Sequence, residues 1–446
     1  MPYYYSAMKT ITKFSFIALA LILSISSFGQ AEVKRQNSTY SFFGLGDLHP
    51  KGFSAVRSMG YVGQTARDPF TINATNPASY SAIALSRFTA FETAFDFNGF
   101  QVSNSDSEYN TDNIQLSYLG LALPIYKSWG TSIGFVPFSR TNYNVFDSRT
   151  QEGIGEETFR YTGTGGFNQF YWGNGVRFGD LSVGANINYI FGTVQKDVFD
   201  FLIDVPFVFD VLRRRSITAN GVTLDLGFQY QKKLGNIIYT LGASGNVTNS
   251  LNTKSNLQWI RQPYNLGDYD GVSNFFVSDS TDAIITTVLE NDKITLPTQF
   301  AIGISIEDTL QSRFSLAAEV AFTNWESYRQ QLEDLSVYKN ETKFSFGVMI
   351  KPESENSRNA FRRSKYKFGG YYSNGFLRLN ETDIISYGFT AGIEMPLNPS
   401  SSTRLNLSLD LGQRGTTNKQ LIQESYAKVT MGLSFNSLWF VKRKYD

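Results

Sequence analysis

The chain has 446 residues, of which 41% are hydrophobic, 15% aromatic and only 18% charged, with 37 glycines, one histidine and no cysteine. That charged fraction lies below the ~25% of ordinary soluble domains, while a mean hydropathy of -0.22 is far too polar for a bundle of membrane helices. Without Cys there is no disulfide, thiolate metal site, thiol nucleophile or acylated-cysteine anchor, and a single His removes most metal and general-base chemistry.

At the N-terminus, Lys9 and Lys13 precede an apolar run from Phe14 to Ile25, and Ser27-Phe28-Gly29 puts small residues before a cleavage point at Gln30. Residues 1–29 therefore read as a secretory signal peptide, with Met1 to Ala7 as an upstream extension, and the apolar core is shorter than the ~20 residues a spanning helix needs. Its removal takes away two Lys and no acid, leaving 38 basic and 39 acidic residues. Such a balance gives no electrostatic case for nucleic acid as a partner.

Residues 30–86 carry Gly44, Gly46, Gly52, Gly60 and Gly63 and show no period. Phe42, Phe43, Leu45, Phe53, Met59 and Tyr61 make the stretch too apolar for a solvated tail. It is expected to be a plug folded inside the remainder of the chain.

From residue 87 onward the chain alternates with a period of two. Leu181, Val183, Ala185, Ile187 and Tyr189 interleave with Ser182, Gly184, Asn186 and Asn188, and Leu405, Leu407, Leu409 and Leu411 with Arg404, Asn406, Ser408 and Asp410. These are two-faced strands. Their segments of about 10 to 13 residues exceed the usual five or six of a globular strand and come close to the 9–11 of a tilted membrane strand. Aromatics near the ends (Tyr126, Trp129, Tyr171, Trp172, Tyr239, Trp325, Tyr366, Tyr371, Trp439, Phe440) suit interfacial girdles. A sheet in lipid must close, so residues 87–446 are expected to be an all-β, 14-stranded antiparallel transmembrane barrel. Its strands start near Arg87, Asn113, Gly130, Phe167, Leu181, Asn220, Asn236, Pro297, Arg313, Lys343, Tyr366, Ile384, Thr403 and Ser425.

Gly179-Asp180 and Lys232 to Gly235 read as tight turns, and Phe100 to Thr111, Val145 to Gly166, Gln195 to Ala219 and Thr248 to Leu296 as long outer loops. That asymmetry places both mature termini on the periplasmic side of an outer membrane. The segment Glu353 to Lys365 is long for a turn on that side.

Two of the long connections are unusually apolar. Phe199, Phe201, Leu202, Phe207 and Phe209 precede Arg213-Arg214-Arg215, while Phe275 and Phe276 precede Asp282 to Glu290, which reads as a short helix. Apolar surface beside cations suits a groove for an amphipathic ligand or a partner interface; packing of the two connections on each other is the alternative. The interior charges Asp225, Glu319, Arg404 and Asp410 are expected to pair with one another or with the plug, and His49 to be packed or solvated. With no nucleophile and base in reach, no enzyme activity, metal or cofactor is expected. The last strand, Ala427 to Phe435, continues to Leu438-Trp439-Phe440.

Asn76-Pro77-Ala78 stands just before the first strand, Gly134-Phe135-Val136-Pro137-Phe138 on the third, Leu296-Pro297-Thr298 at the eighth and Ala318 to Trp325 on the ninth. In this order and spacing the chain resembles the FadL-type outer-membrane transporters of long-chain fatty acids and other hydrophobic compounds. The resemblance implies that Asn76, Pro77 and Ala78 close a hatch, and that Gly134 and Pro137 mark an inward kink opening the wall sideways; a rim bulge at Pro137 is the competing reading. It implies passive uptake of a hydrophobic small molecule such as a long-chain fatty acid among outer-membrane lipids. The alternative is a FadL-like accessory or docking subunit of an outer-membrane secretion or barrel-assembly complex, with other envelope proteins as partners.

Overall fold

The computed structural model describes residues 38–151, 155–203, 210–247, 250–262, 284–308, 313–330, 335–352, 359–397 and 403–438. The expected signal peptide, Phe207, Phe209, Phe275, Phe276, Trp439 and Phe440 lie outside these residues.

Fourteen antiparallel strands close into a barrel. They are β1 (Phe88–Ser103), β2 (Glu108–Tyr126), β3 (Trp129–Arg140, continued by Tyr143–Gln151), β4 (Gly155–Phe178), β5 (Leu181–Ile203), β6 (Asp210–Leu234) and β7 (Ile237–Asn246, continued by Ser250–Gln262). Then follow β8 (Ile284–Thr295, continued by Thr298–Asp308), β9 (Phe314–Asn324), β10 (Glu341–Ile350), β11 (Lys365–Ser373), β12 (Ser386–Pro396), β13 (Arg404–Gly415) and β14 (Gln423–Leu438). Each strand pairs with its sequence neighbours, and β14 returns to β1 from Phe88↔Leu438 to Ser103↔Gln423. The first and last strands are thus joined, as a barrel in lipid requires.

Along β1, Phe91, Phe95 and Phe97 are exposed while Glu92, Asp96 and Asn98 are buried. The same inversion holds on β9, with Val320 and Phe322 outward and Glu319 inward. An apolar exterior around a polar interior identifies the outward face as the lipid face. Tyr126, Trp129, Trp172 and Tyr239 stand exposed on it, as girdle residues do. Tyr171, Trp325 and Tyr371 do not: they are buried inside.

The wall is uneven. β4, β5 and β6 run for 24, 23 and 25 residues, whereas β9, β10 and β11 have 11, 10 and 9. The expected loops at Val145 to Gly166, Gln195 to Ala219 and Thr248 to Leu296 are thus in large part ladder, paired for example from Thr162↔Asp197 to Asp197↔Arg214 and Arg214↔Gln258. The connection at Phe100 to Thr111 is also ladder, from Phe100↔Thr111 to Ser103↔Glu108. The expected helix at Asp282 to Glu290 is likewise strand from Ile284 onward, held by β7 through Ile260↔Ile284 and Asn256↔Val288. In the long turn near Glu353, the described part contains one helical turn, Ala360–Arg363. The end at which β4–β6 project is called here the tall end, and the opposite one, with Gly179-Asp180, the turn end.

Candidate functional site

The lumen is filled by residues Ser38 to Ser86, which lie across it as a strap. At the tall end Glu424, one residue into β14, accepts from the Ser38 hydroxyl and the Thr39 N–H, each at 2.6 Å. At mid-height Arg57, on the short helix α1 (Ser54–Arg57), donates to both oxygens of Asp96 at 3.0 Å. At the turn end Asp68 meets Lys365 and Arg404, both at the starts of their strands. Helix α2 (Tyr80–Ser86) then leads into β1 through Arg87, whose left-handed backbone (φ 60°) makes the corner.

Barrel carboxylates hold this strap along its whole path. Asp225 takes Lys51 at 3.1 Å, Asp410 takes the Tyr61 hydroxyl at 2.6 Å, Glu319 takes the N–H groups of Gly63 and Gln64 at 2.8 Å each, and Glu92 takes that of Ile72 at 2.7 Å. A carboxyl group facing the lumen without such donors would be left unsatisfied; with them, each is a hydrogen bond that fixes the strap. Asp225, Glu319, Arg404 and Asp410 therefore pair as expected. The equivalent roles of Glu92, Asp96, Glu424, Arg57 and Tyr61 were not foreseen, although acids alternating with Phe91, Phe95 and Phe97 already mark a buried polar face.

Asn76-Pro77-Ala78 sits against the wall. The Asn76 side chain accepts from Ala78 N–H at 3.1 Å, capping the 3₁₀ turn Pro77–Ser79, and its amide donates to the carbonyls of Gln64, Phe228 and Ala243 at 2.9, 3.0 and 3.2 Å. The wall opposite is glycine because backbone meets backbone there: a Cβ on Gly184 would lie 2.5 Å from the Pro77 carbonyl oxygen and 2.6 Å from the Ala78 nitrogen.

The wall has one break among the described residues. Pairing of β2 with β3 runs from Tyr126↔Trp129 to Leu119↔Phe135 and stops, while β2 continues to Glu108 bonded to β1 alone. Past Phe135, β3 is irregular between Pro137 and Ser139, and its free edge takes the strap's two-residue strand instead, Leu48↔Ser139 and Asp47↔Arg140. The His49 N–H adds a bond to the Phe138 carbonyl at 2.9 Å. Pro137 sits at this break; Gly134 lies below it, still paired with Gly120, where Tyr171 and the Leu119 carbonyl leave no room for a side chain.

A cavity of about 420 Å³ remains between strap and wall. It reaches the break, where Asn113, Gln115, Val136 and Pro137 line it, and Lys343 and Lys428 line it elsewhere. Its roof at the tall end is an apolar core joining Tyr40 and Leu45 of the strap, Val194, Ile217, Leu251 and Ile294 of β5–β8, and Trp325, Tyr328, Tyr338, Leu377 and Ile384 from the connections above the short strands. Trp325 stacks on Phe376 at 4.2 Å there.

The residues expected to take an amphipathic ligand lie in the tall ladder. Arg160 covers the Phe199 ring at 5.9 Å; Phe201 and Leu202 pair with Thr158 and Glu157. Arg213 covers the Trp259 ring at 5.7 Å, Arg214 bonds Asp197 at 2.9 Å, and Arg215 pairs in register with Lys196 and Leu257. Successive residues of one strand face opposite ways, so the three arginines divide between the two sides of the wall.

His49 is buried in the strap, with its Nε2 accepting from Arg57 at 2.8 Å, which leaves the ring proton on Nδ1. Burial first, and the Arg57 charge next, push its pKa down from 6.5 to about 3. An unfolded chain takes up that proton first, so this residue's stabilisation is complete above pH 6.5 and is lost as pH falls from there toward 3. The ring ¹³Cε1 resonance of this lone histidine is expected to stay in its neutral position from pH 8 to about pH 4.5; a midpoint near 6.5 would mean the ring is solvated. No cluster of metal-ligating side chains occurs among the described residues.

Comparison with known proteins separates fold from family. The toluene transporter TodX of Pseudomonas putida superimposes with a TM-score of 0.56 at 16% identity, over 89% of this chain and 100% of the other. The toluene transporter TbuX of Ralstonia pickettii gives 0.55 at 14% over 86% and 98%, and a FadL homologue of Pseudomonas aeruginosa 0.54 at 12% over 87% and 98%. At these identities the likeness is one of fold, and it bears out the FadL-type barrel. No curated protein matches the sequence. The family match covers residues 10–446 and is to BamG rather than to the transporters themselves, and the chain belongs to the BamG family.

Proposed function

We propose that this chain is a plugged outer-membrane barrel that serves as an accessory subunit of a protein-assembly complex in that membrane. The observation that carries this reading is the closure of the lumen: a strap bonded to carboxylates on β1, β6, β9, β13 and β14, under a packed apolar roof. A wide open pore for polar solutes does not fit such closure, whereas a docking subunit needs a rigid wall. Membership in the BamG family, with only the fold shared with hydrocarbon transporters, supports the same conclusion. The walls of β4–β6 rise beyond the lipid belt and offer other envelope proteins a surface. Depleting the chain from its own cells should lower the outer-membrane level of many other barrel proteins; unchanged levels would count against the reading.

A second reading, a passive channel for hydrophobic small molecules such as a long-chain fatty acid, is favoured by the wall break at Pro137. There the cavity meets the gap between β2 and β3, and the Asp47–Leu48 strand covers the edge of β3 in place of β2. Under this reading the apolar and basic residues of the tall ladder, Phe199 and Arg213 among them, capture the ligand, and Asn76, Pro77 and Ala78 form the hatch. No cofactor enters either reading.

A further inference from the structure

At the tall end β3 carries an uncovered edge. Lower down, at Ser139 and Arg140, its free side takes the strap's Asp47–Leu48 strand in place of β2. Above that, the segment Tyr143–Gln151 pairs with β4 without interruption from Tyr143↔Gly163 to Gln151↔Gly155, and no strand among the described residues pairs with its other side. The Thr141 N–H donates to the Gly165 carbonyl at 3.0 Å, directly opposite in the same register, so every second residue from there, Val145, Asp147 and Arg149 included, turns its main-chain groups to β4. Phe146, Ser148 and Thr150 turn theirs the other way. Their N–H and C=O groups stand in a row at the spacing of a strand ladder.

Exposed edges are ordinarily blunted by proline, a bulge or charged side chains. Tyr143–Gln151 contains no proline, its register is unbroken, and its two charges, Asp147 and Arg149, bond each other at 3.0 Å. Beside the edge the Phe146 ring is exposed. Arg160 of β4 covers it at 5.5 Å and covers Phe199 of β5 at 5.9 Å, so aromatic, cation and aromatic follow one another across three adjacent strands on one face.

We propose that this edge binds an extended segment of another envelope protein, added as a further strand beside β3, with an Arg or Lys side chain over Phe146. The inference rests on the accessory-subunit reading and names the chemistry of the contact. Donors and acceptors spaced in this way are matched by an added strand, whereas a helix satisfies its main chain internally and a lipid brings no such series. The strap's strand at Ser139 and Arg140 shows the same side of β3 accepting one addition of this kind. Selection comes from Phe146, because a cation on the incoming strand continues the row that Phe199, Arg160 and Phe146 begin.

Ser148→Pro tests this with little disturbance of the hairpin. It removes one outward N–H and sets a ring against an incoming strand, yet keeps the bonds to β4, since proline is tolerated where the missing N–H faces out of the sheet. Ser148→Ala is the matched control, and Thr150→Pro repeats the test should Ser148→Pro fail to give a heat-modifiable barrel. Each chain is extracted gently from its own outer membrane, and residue-resolved hydrogen exchange of Tyr143–Gln151 in the extract is compared with that of the same chain purified alone. In wild type and Ser148→Ala the Phe146 and Thr150 amides are expected to exchange at least ~10-fold more slowly in the extract, as ladder N–H groups do, with envelope proteins bound. The proline variant is expected to lose both. Equal exchange in the wild-type extract and the purified chain, or envelope proteins bound to the folded proline variant as to wild type, overturns the proposal and leaves the accessory-subunit reading standing. A wild-type extract without bound envelope protein overturns both.

Discussion

Replacing Arg57 with Met should destabilise the barrel by about 3–5 kcal/mol, the cost of leaving a buried charge without its partner. Asp96 is almost wholly buried, and besides the guanidinium its carboxylate accepts from the Thr430 hydroxyl at 2.7 Å. Removing the cation leaves a carboxylate in the lumen wall with one neutral donor. Further replacement of Asp96 with Leu should restore most of the loss, because a buried pair exchanged for apolar side chains of similar volume is often neutral. Urea unfolding in detergent, followed by heat-modifiable migration, reads both steps. A single variant within ~0.5 kcal/mol of wild type, the range of ordinary surface substitutions, would mean that the strap is not held by this pair.

The second large effect is steric. Gly184→Val places side-chain carbon where the Pro77 and Ala78 backbone now lies, and backbone cannot swing aside as a flexible side chain can. Overpacking of this kind costs about 1–3 kcal/mol, and here the strain can be relieved only by moving Asn76-Pro77-Ala78 off the wall. The expected signature is protease cleavage within the strap while the barrel stays heat-modifiable. Gly99→Ala is the matched control: its nearest obstacle is the Ala427 carbonyl at 3.8 Å, so it should leave the strap protected. Equal resistance of Gly184→Val and wild type to protease would show that the contact does not seat the Asn76-Pro77-Ala78 turn.

Much of this architecture was legible in the sequence because a membrane strand carries a strict period of two. Leu405 to Leu411 against Arg404 to Asp410 reveals both faces of β13, and thirteen further segments of that kind give the strand number. Legibility failed where the physics changes. In Val194 to Phe199 apolar and polar residues do not alternate strictly, so ladder resembled loop. The order in which the strap crosses the lumen was invisible too, since no local pattern tells whether Ser38 or Ser86 lies high. For the carboxylates expected to pair with the plug, the partners were not visible: Glu319 meets backbone N–H groups of Gly63 and Gln64, far away in sequence, and main-chain donors carry no sequence signal. Trp325 was misread as a girdle residue because a tryptophan at a strand end serves a lipid interface and an aromatic roof equally well.

The claim that this barrel acts with other proteins, and not as a conduit, is tested most directly by gentle detergent extraction of the native protein from its own outer membrane, followed by mass spectrometry of everything that remains bound. The account predicts stoichiometric recovery of other envelope proteins and no defined small molecule in the lumen. Recovery of the lone barrel with a long-chain lipid or hydrocarbon would contradict it and restore the reading in which Pro137 marks a lateral exit.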